Sequence, residues 1–281
     1  MPQTHGASPM VEVEEFGKDN GLVHEAVVTG RKVGAGRPFW SALAGSELLF
    51  RKVFDLVEAE TGGPSSARMV SLKIARKILG SNRVYAGARV AKKWNVELGD
   101  DLPIRFTEAD LQNAALDNAS GKADFRLVRV LGRWSMRELH ARFGIDPKKQ
   151  PCFFKDSKWW LGSSEDKWAN RKPTPGYYLF DFAGKWGSTS WDVQDVHIQA
   201  SGSDFERADE VALVEAVLTI FQLTQERLLE NWYHWGPTLA SDGLRVCVGD
   251  FDDDGLHVDW HHPGYDDSGF LRVVRSRKFR S

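Results

Sequence analysis

The chain has 281 residues, 42% of them apolar and 27% charged, with a net charge of −2 at pH 7. That balance is ordinary for a globular protein that buries its own core, and the near-neutral total names no partner. Only two cysteines occur, Cys152 and Cys247, far apart in the chain; this argues against a disulfide framework or a cysteine-held zinc site and leaves two free thiols in a reducing compartment.

Met1–Gly17 shows no basic stretch followed by an apolar run, and no window approaches the roughly 18 uninterrupted apolar residues of a membrane span. A cytoplasmic protein with no membrane partner is expected. Val11–Phe16 and Leu22–Val28 have weak strand character, and with the glycine-rich Gly30–Gly36 they suggest an arm over residues 1–37. From Ser46 the spacing of Leu49, Phe50, Val53, Leu56 and Val57 predicts a helix ending at Gly62. Pro64, Ser65 and Ser66 then open a second helix with Met69, Leu72, Ala75 and Leu79 as its buried stripe and Gly80 as its stop. A third is expected over Val84–Trp94. Thr107 with Asp110 caps a helix through Ala119, and Ser135 with Glu138 forms a capping box for one ending at Gly144. Between them Phe125–Leu131 alternates as a strand. Residues 38–145 therefore form a mainly helical module.

After Ile145 the texture changes. Prolines punctuate the chain, and eight of the eleven tryptophans lie beyond residue 150. Tyr177–Phe182 is a strand candidate, and Val193–Ile198 alternates as a half-buried strand should. Ser203 with Glu206 looks like a capping box for one long helix with Val211, Val214, Leu218, Phe221 and Leu228 on its apolar face. Three short strands follow, Leu244–Val248, Gly255–Val258 and Phe270–Val274, joined by loops rich in Trp, Tyr, His and Asp. Strands that hold the backbone while loops present side chains make a recognition surface. The fold class expected is α+β, with a third region, 146–281, as a mixed β domain containing one long helix.

Several constellations could carry chemistry. Asp250, Asp252 and Asp254 before Gly255 match the opening of a calcium loop, where oxygen ligands alternate ahead of a glycine turn. The bidentate Glu of an EF-hand is absent, since His261 stands at its place, so two readings remain: an Asp/Gly hairpin turn, which is favoured, and a looser calcium site. Calcium is the one cofactor considered. On a strand, His257, Asp259 and His261 share one face, but a two-histidine, one-carboxylate iron triad would need its distal histidine from His197 or His234 upstream, the wrong order. A metal-dependent enzyme built on His257 and Asp259 is thus the third-ranked function. From Arg68 to Lys93 eight basic residues occur without an acidic one. Among them Arg76, Lys77, Arg89, Lys92 and Lys93 could meet phosphates from a helix-turn-helix-like pair, which makes nucleic acid the second-ranked partner. The competing reading, solvated faces balanced by the acidic stretch Glu97–Asp124, is favoured, because no base-reading signature accompanies them.

The C-terminal residues resemble the C-type-lectin-fold variable proteins associated with bacterial diversity-generating retroelements. The resemblance is carried by Trp235 with its Pro-Thr-Leu-Ala-Ser loop, by Leu244-Arg-Val-Cys-Val-Gly-Asp-Phe251, by Gly255-Leu-His-Val258 and by Leu271-Arg-Val-Val-Arg-Ser-Arg-Lys-Phe279. It implies a C-type-lectin-like domain that binds a ligand, a protein or a glycan, without catalysis. It also implies variable positions on an outward face near the C-terminus, Cys247, Asp250, His257, Asp259, Trp260, His261, His262, Tyr265 and Asp266, with Trp235 beside them as a further ligand-binding candidate. Seven aspartates between Asp250 and Asp267 share a stretch free of Lys and Arg, and Arg272, Arg275, Arg277, Lys278 and Arg280 follow; the closing strand is expected to neutralise those acidic loops across a sheet.

Overall fold

The computed structural model describes residues 27–29, 31–32, 34–46, 70–97, 102–265 and 269–277. They belong to two compact units, Met1–Ser66 and Ala67–Ser281. In the first unit, α1 (Arg37–Ala44) starts after Gly36 with a proline in its first turn, where a missing N–H leaves no bond unmade, and it buries Leu43. Residues 27–29 are helical, so the run expected as a strand at Leu22–Val28 does not end as one. The strand expected at Val11–Phe16 and the helix expected beyond Ser46 lie outside the described residues.

The second unit is α+β. Its first helix, α2 (Leu72–Leu79), is capped by Ser71, whose Oγ accepts the N–H of Ile74, while the start expected at Pro64, Ser65 and Ser66 lies outside the described residues. Gly80, at φ +90°, ends it as expected by donating its N–H to Arg76 O. Val84–Tyr85 is a strand, β1, that pairs parallel with Leu127 and Val128. The helix expected over Val84–Trp94 is therefore shorter, α3 (Ala88–Trp94). Both capping boxes do what their residues predict: Thr107 with Asp110 opens α4 (Glu108–Ala119), and Ser135 with Glu138 opens α5 (Met136–Phe143). Between them lies β2 (Phe125–Val130), and after a short helix α6 (Asp166–Ala169) comes β3 (Gly176–Lys185). Strand β2 pairs antiparallel with β3 from Phe125↔Asp181 to Val130↔Gly176. The boundary expected at residues 145 and 146 thus falls inside one sheet and separates no two bodies.

Val193–Ile198 is not a strand but part of α7 (Trp191–Ala200). Gln194 and Ile198 are its buried residues, four apart, while Val193 and Val196 face solvent; the apolar pattern misled because two of its members are on the wet side. The box expected at Ser203 and Glu206 does not form either. Phe205–Arg207 is strand β4, and the long helix α8 (Glu210–Thr224) is capped by Asp209, which accepts the N–H of Ala212 at 2.9 Å. Strand β5 (Tyr233–Leu239), which was not expected from the sequence, precedes β6 (Arg245–Asp252), β7 (Gly255–His261) and β8 (Leu271–Arg277), which fall where expected.

The strands form one mixed sheet in the order β1-β2-β3-β8-β5-β6-β7, with β4 alongside β8. The closing strand is central. One edge of β8 pairs with β3, while the other pairs with β4 through Phe205↔Arg277 and with β5 through Tyr233↔Leu271. Its arginines do not reach the acidic loops as expected: Arg275 pairs with buried Asp181 at 2.9 Å and Arg277 pairs with Asp110. Helix α8 is buried from Glu210 to Phe221 and packs on β2, β5 and β6 and against α3 and α5. Such an all-round apolar helix is the core of the unit. Two polar side chains on it are matched: Thr219 Oγ1 accepts Trp94 Nε1–H at 2.8 Å, and the Glu215 carboxylate accepts the N–H groups of Leu131 and Gly132.

Candidate functional site

Strands β5, β6 and β7 make an antiparallel meander whose two faces have different tasks. Val246, Val248, Leu256 and Val258 point inward into the α8 core. Alternation sends Tyr233, Trp235, Arg245, Cys247, Gly249, His257, Asp259 and His261 to the other face. The register lines these up in rows, Tyr233↔Gly249↔His257 and Trp235↔Cys247↔Asp259. Trp235, Cys247 and Leu271 form a buried floor, with Tyr233, Phe270 and Trp191 packed around it.

Above the floor sits a group of partly exposed rings. His261 is 5.6 Å from Tyr265 and 5.7 Å from Phe270, and Tyr233 is 6.1 Å from Phe270 and 6.4 Å from His261, centroid to centroid. Gly249 makes this possible. A Cβ there would lie 2.1 Å from Trp232 O, and its absence lets the rings of Tyr233 and His257 meet edge to face at 6.2 Å across β6. On the far side of His257, Phe154 stacks at 3.9 Å, brought there by a segment that runs along β7 through Phe154 N–H to Leu256 O and Leu256 N–H to Cys152 O. That segment also covers the outer edge of the sheet.

Two carboxylates belong to the same face. Asp250, at φ +46° in the bulge after Gly249, accepts the Tyr233 hydroxyl at 3.4 Å, and Asp259 stands opposite Cys247. Burial, and then the charges of Asp250 and Asp259, push the Tyr233 hydroxyl far above its usual range. Burial likewise drives the Cys247 thiol up, with Asp259 adding to it. Burial lowers His261, and Asp259 opposes that shift. These shifts favour the uncharged forms of Tyr233, Cys247 and His261 near neutral pH.

At the other end, Trp191 at the start of α7 donates Nε1–H to Gly236 O at 3.0 Å and lies between two guanidinium groups, Arg207 at 4.3 Å and Arg245 at 4.0 Å from the ring centroid. Arg207 donates to Gln194 Oε1, Trp235 O and Trp191 O. Burial pushes it down to about 9, against the pull of Asp195, so it stays cationic at neutral pH.

Some expected contact residues take other roles. Trp235 and Cys247 are fully buried floor residues, since Leu271 and Trp191 cover them; neither presents itself to a ligand. Trp260 points to the opposite side of β7, packs on Trp159 at 4.9 Å and donates Nε1–H to Asp242. His262 is exposed in a turn, where its Nδ1 accepts the N–H of Gly264. Asp266 lies outside the described residues. His257, Asp259, His261 and Tyr265 are on the outer face together, with Asp250 at its edge. Sequence reasoning missed Tyr233, Phe270 and Phe154; Tyr233 was within reach, because it precedes Trp235 by two residues and shares its face.

The calcium loop is a hairpin turn: Asp252 Oδ1 accepts the N–H groups of Asp254 and Gly255, and Asp253 pairs with Arg227. Asp250, Asp252 and Asp254 do not converge, and among the described residues no group of three or more His, Cys, Asp or Glu side chains is arranged to hold a metal ion. The helix-turn-helix expectation also changes. A 3-10 turn and β1, which belongs to the sheet, separate α2 from α3, so the pair lacks the direct turn of that motif. Arg83 between them pairs with Asp124. Lys77, Arg89, Lys92 and Lys93 are exposed and Arg76 half-buried, as solvated faces require. Among the described residues no helix is long and apolar enough to cross a membrane.

No protein-family model matches the chain, and no curated protein or solved structure matches it.

Proposed function

We propose that the chain is a non-catalytic ligand-binding protein whose C-terminal part is C-type-lectin-like and presents the outer face of β5, β6 and β7 to a protein or glycan ligand. One observation carries this reading: His257, Asp259, His261 and Tyr265 project from a meander whose opposite face is locked onto α8. Chemistry on the outer face can change while the inner face holds the strands. The order of elements supports the C-type-lectin-like part, with the long helix α8, then a three-stranded meander, then a closing strand, and the outward face near the C-terminus. A binding role fits the electrostatics better than a nucleophilic one, since the Cys247 thiol and the Tyr233 hydroxyl both hold their protons at neutral pH.

Membership among diversified variable proteins belongs to the same proposal and has a direct test, sequencing of the gene's 3′ end and flanking DNA across one clonal population. Substitutions concentrated at the codons for Asp250, His257, Asp259, His261, His262 and Tyr265, with a near-copy template and a reverse transcriptase gene nearby, are the expected result. An invariant 3′ end without a template would refute diversification and leave a fixed ligand face. The binding part is tested by peptide and glycan display against the full chain, with His261→Ala and Tyr265→Ala as competitors: a face that selects no ligand refutes it.

A further inference from the structure

This chain repeatedly uses arginine to join a ring to a carboxylate. Arg275 pairs with Asp181 at 2.9 Å and lies 4.3 Å over Phe205. Arg227 pairs with Asp253 at 2.7 Å and lies 5.3 Å over Phe221. Arg126 pairs with Glu226 at 2.6 Å and lies 5.9 Å over Phe182. Arg207, near Asp195 at 3.8 Å, lies 4.3 Å over Trp191. In each case the flat cation meets the negative face of a ring while its edge meets an anion, a geometry that guanidinium suits better than ammonium.

The outer face of the meander has both outer members of that arrangement and lacks the middle one. Tyr233, His261, Tyr265 and Phe270 supply the rings, each within 6.4 Å of at least two of the others. Asp250 and Asp259 supply the carboxylates, one bonded to Tyr233 and the other between His257 and His261 on β7. Among the described residues, no Lys or Arg pairs with Asp250 or Asp259, and none lies over these four rings. No Lys or Arg occurs from Val246 to Leu271 in the sequence. His261 and Tyr265 are nearly stacked, 23° apart, while Phe270 is inclined to them by 59° and 45° and Tyr233 to His261 by 71°. Charge complementarity selects a cation, and the ring–guanidinium–carboxylate pairs the chain already uses point to arginine.

We propose that this face receives an arginine side chain of a partner protein, its guanidinium lying on the Tyr265, Phe270 and His261 rings and paired with the Asp259 carboxylate, with Asp250 adding to the field. The proposal rests on the reading of the face as a ligand surface and names the ligand's chemistry.

The test titrates the full chain with three short blocked glycine peptides that differ only in a central arginine, lysine or citrulline, and follows the ring-proton NMR signals of Tyr265 and His261. Citrulline keeps the plane and loses the charge, whereas lysine keeps the charge and loses the plane. The arginine peptide should shift both signals, bind about threefold more tightly than lysine and at least about tenfold more tightly than citrulline, and weaken as salt rises. Asp259→Asn should reduce arginine binding by about tenfold and Tyr265→Ala by about threefold. Both substitutions are at solvent-accessible positions, and a melting curve for each checks that the fold is kept. Equal binding of citrulline and arginine would overturn the cation and leave a ligand face that prefers flat neutral groups. An arginine titration that leaves these rings unshifted would also overturn the proposal. The display selection above then separates the two failures, because ligands selected at the same face would preserve the broader reading and none would end both.

Discussion

His234 is buried where β5, β8 and the chain after β4 meet, and the pH dependence of folding should show it. Its Nδ1 accepts the N–H of Val274 at 3.0 Å and its Nε2 donates to Ala208 O at 2.9 Å. Both ring nitrogens are therefore satisfied only in the neutral tautomer. Burial first, and then the charge of Arg207, push this imidazole down from 6.5 to about 3. Between those two values the unfolded chain binds a proton that the folded chain refuses. Stability from this site is thus fully present above the unfolded value, falls as pH drops below it and levels off near the folded one. At 1.36 kcal/mol per unit the loss is about 2 kcal/mol at pH 5 and approaches roughly 5 kcal/mol at the acid limit. Replacing it by His234→Gln keeps an amide N–H for Ala208 O and removes the titration. Urea denaturation of both proteins at steps between about pH 3 and pH 7 should give a difference that shrinks as pH falls, with a slope near 1.4 kcal/mol per unit. A constant difference, or an imidazole that titrates by NMR near its ordinary value, would refute this account of the junction.

Three further predictions follow from the same structure. Glu215, buried on α8 and raised to about 7 by burial against two backbone N–H bonds, has the opposite sign: its contribution is fully present below 4.5 and is lost as pH rises through 7, by roughly 3 kcal/mol, so Glu215→Gln should flatten the neutral limb of the stability profile. Gly249→Ala places a Cβ against Trp232 O at 2.1 Å and should cost about 2–4 kcal/mol by chemical denaturation, while leaving the pH profile of His234 unchanged. Truncation before Phe270 removes β8, the strand paired with β3, β4 and β5; the product should show no cooperative thermal transition, and a cooperative one would contradict the central placement of β8.

The parts of the fold written in short-range chemistry were legible. Thr107 with Asp110 and Ser135 with Glu138 fix their helices within one turn, and the alternation in Arg245–Asp252 and Gly255–His261 needs only a pleat. Where the outcome depended on distant partners, the sequence misled. Val193–Ile198 looked like a half-buried strand, yet Val193 and Val196 face solvent on α7 while Gln194, not a valine, is held inside by Trp186 O and Leu271 O. Cys247 and Trp235 sit on the outer face as parity requires, but whether they meet solvent is decided by Trp191 and Leu271, which come from elsewhere in the chain. The same limit applies to charge. Arg275 and Arg277 were expected to answer the nearby acidic loops, and they answer Asp181 and Asp110 instead, because a buried carboxylate next to a central strand has more to gain from a guanidinium than an exposed one.

That redirection of charge bears on the candidate site. On β8, Arg275 pairs with Asp181, Arg277 with Asp110, and Arg272 donates to Gly269 O, so among the described residues none of the three pairs with an aspartate of the meander. The strands that carry those aspartates are held by backbone ladders, by Val246, Val248, Leu256 and Val258 against α8, and by the Trp235–Cys247–Leu271 floor; His257, Asp259, His261 and Tyr265 belong to neither cluster. Substitutions at His257, Asp259, His261 or Tyr265 should therefore change stability by under about 1 kcal/mol, whereas substitutions one residue away on the inner face should cost about 2–4 kcal/mol. A face whose chemistry is decoupled in this way from its scaffold can hold a charge imbalance for a partner to complete. Thermal melts of His261→Ala and Val258→Ala compare the two faces directly, and equal losses would mean that the outer rings belong to the core.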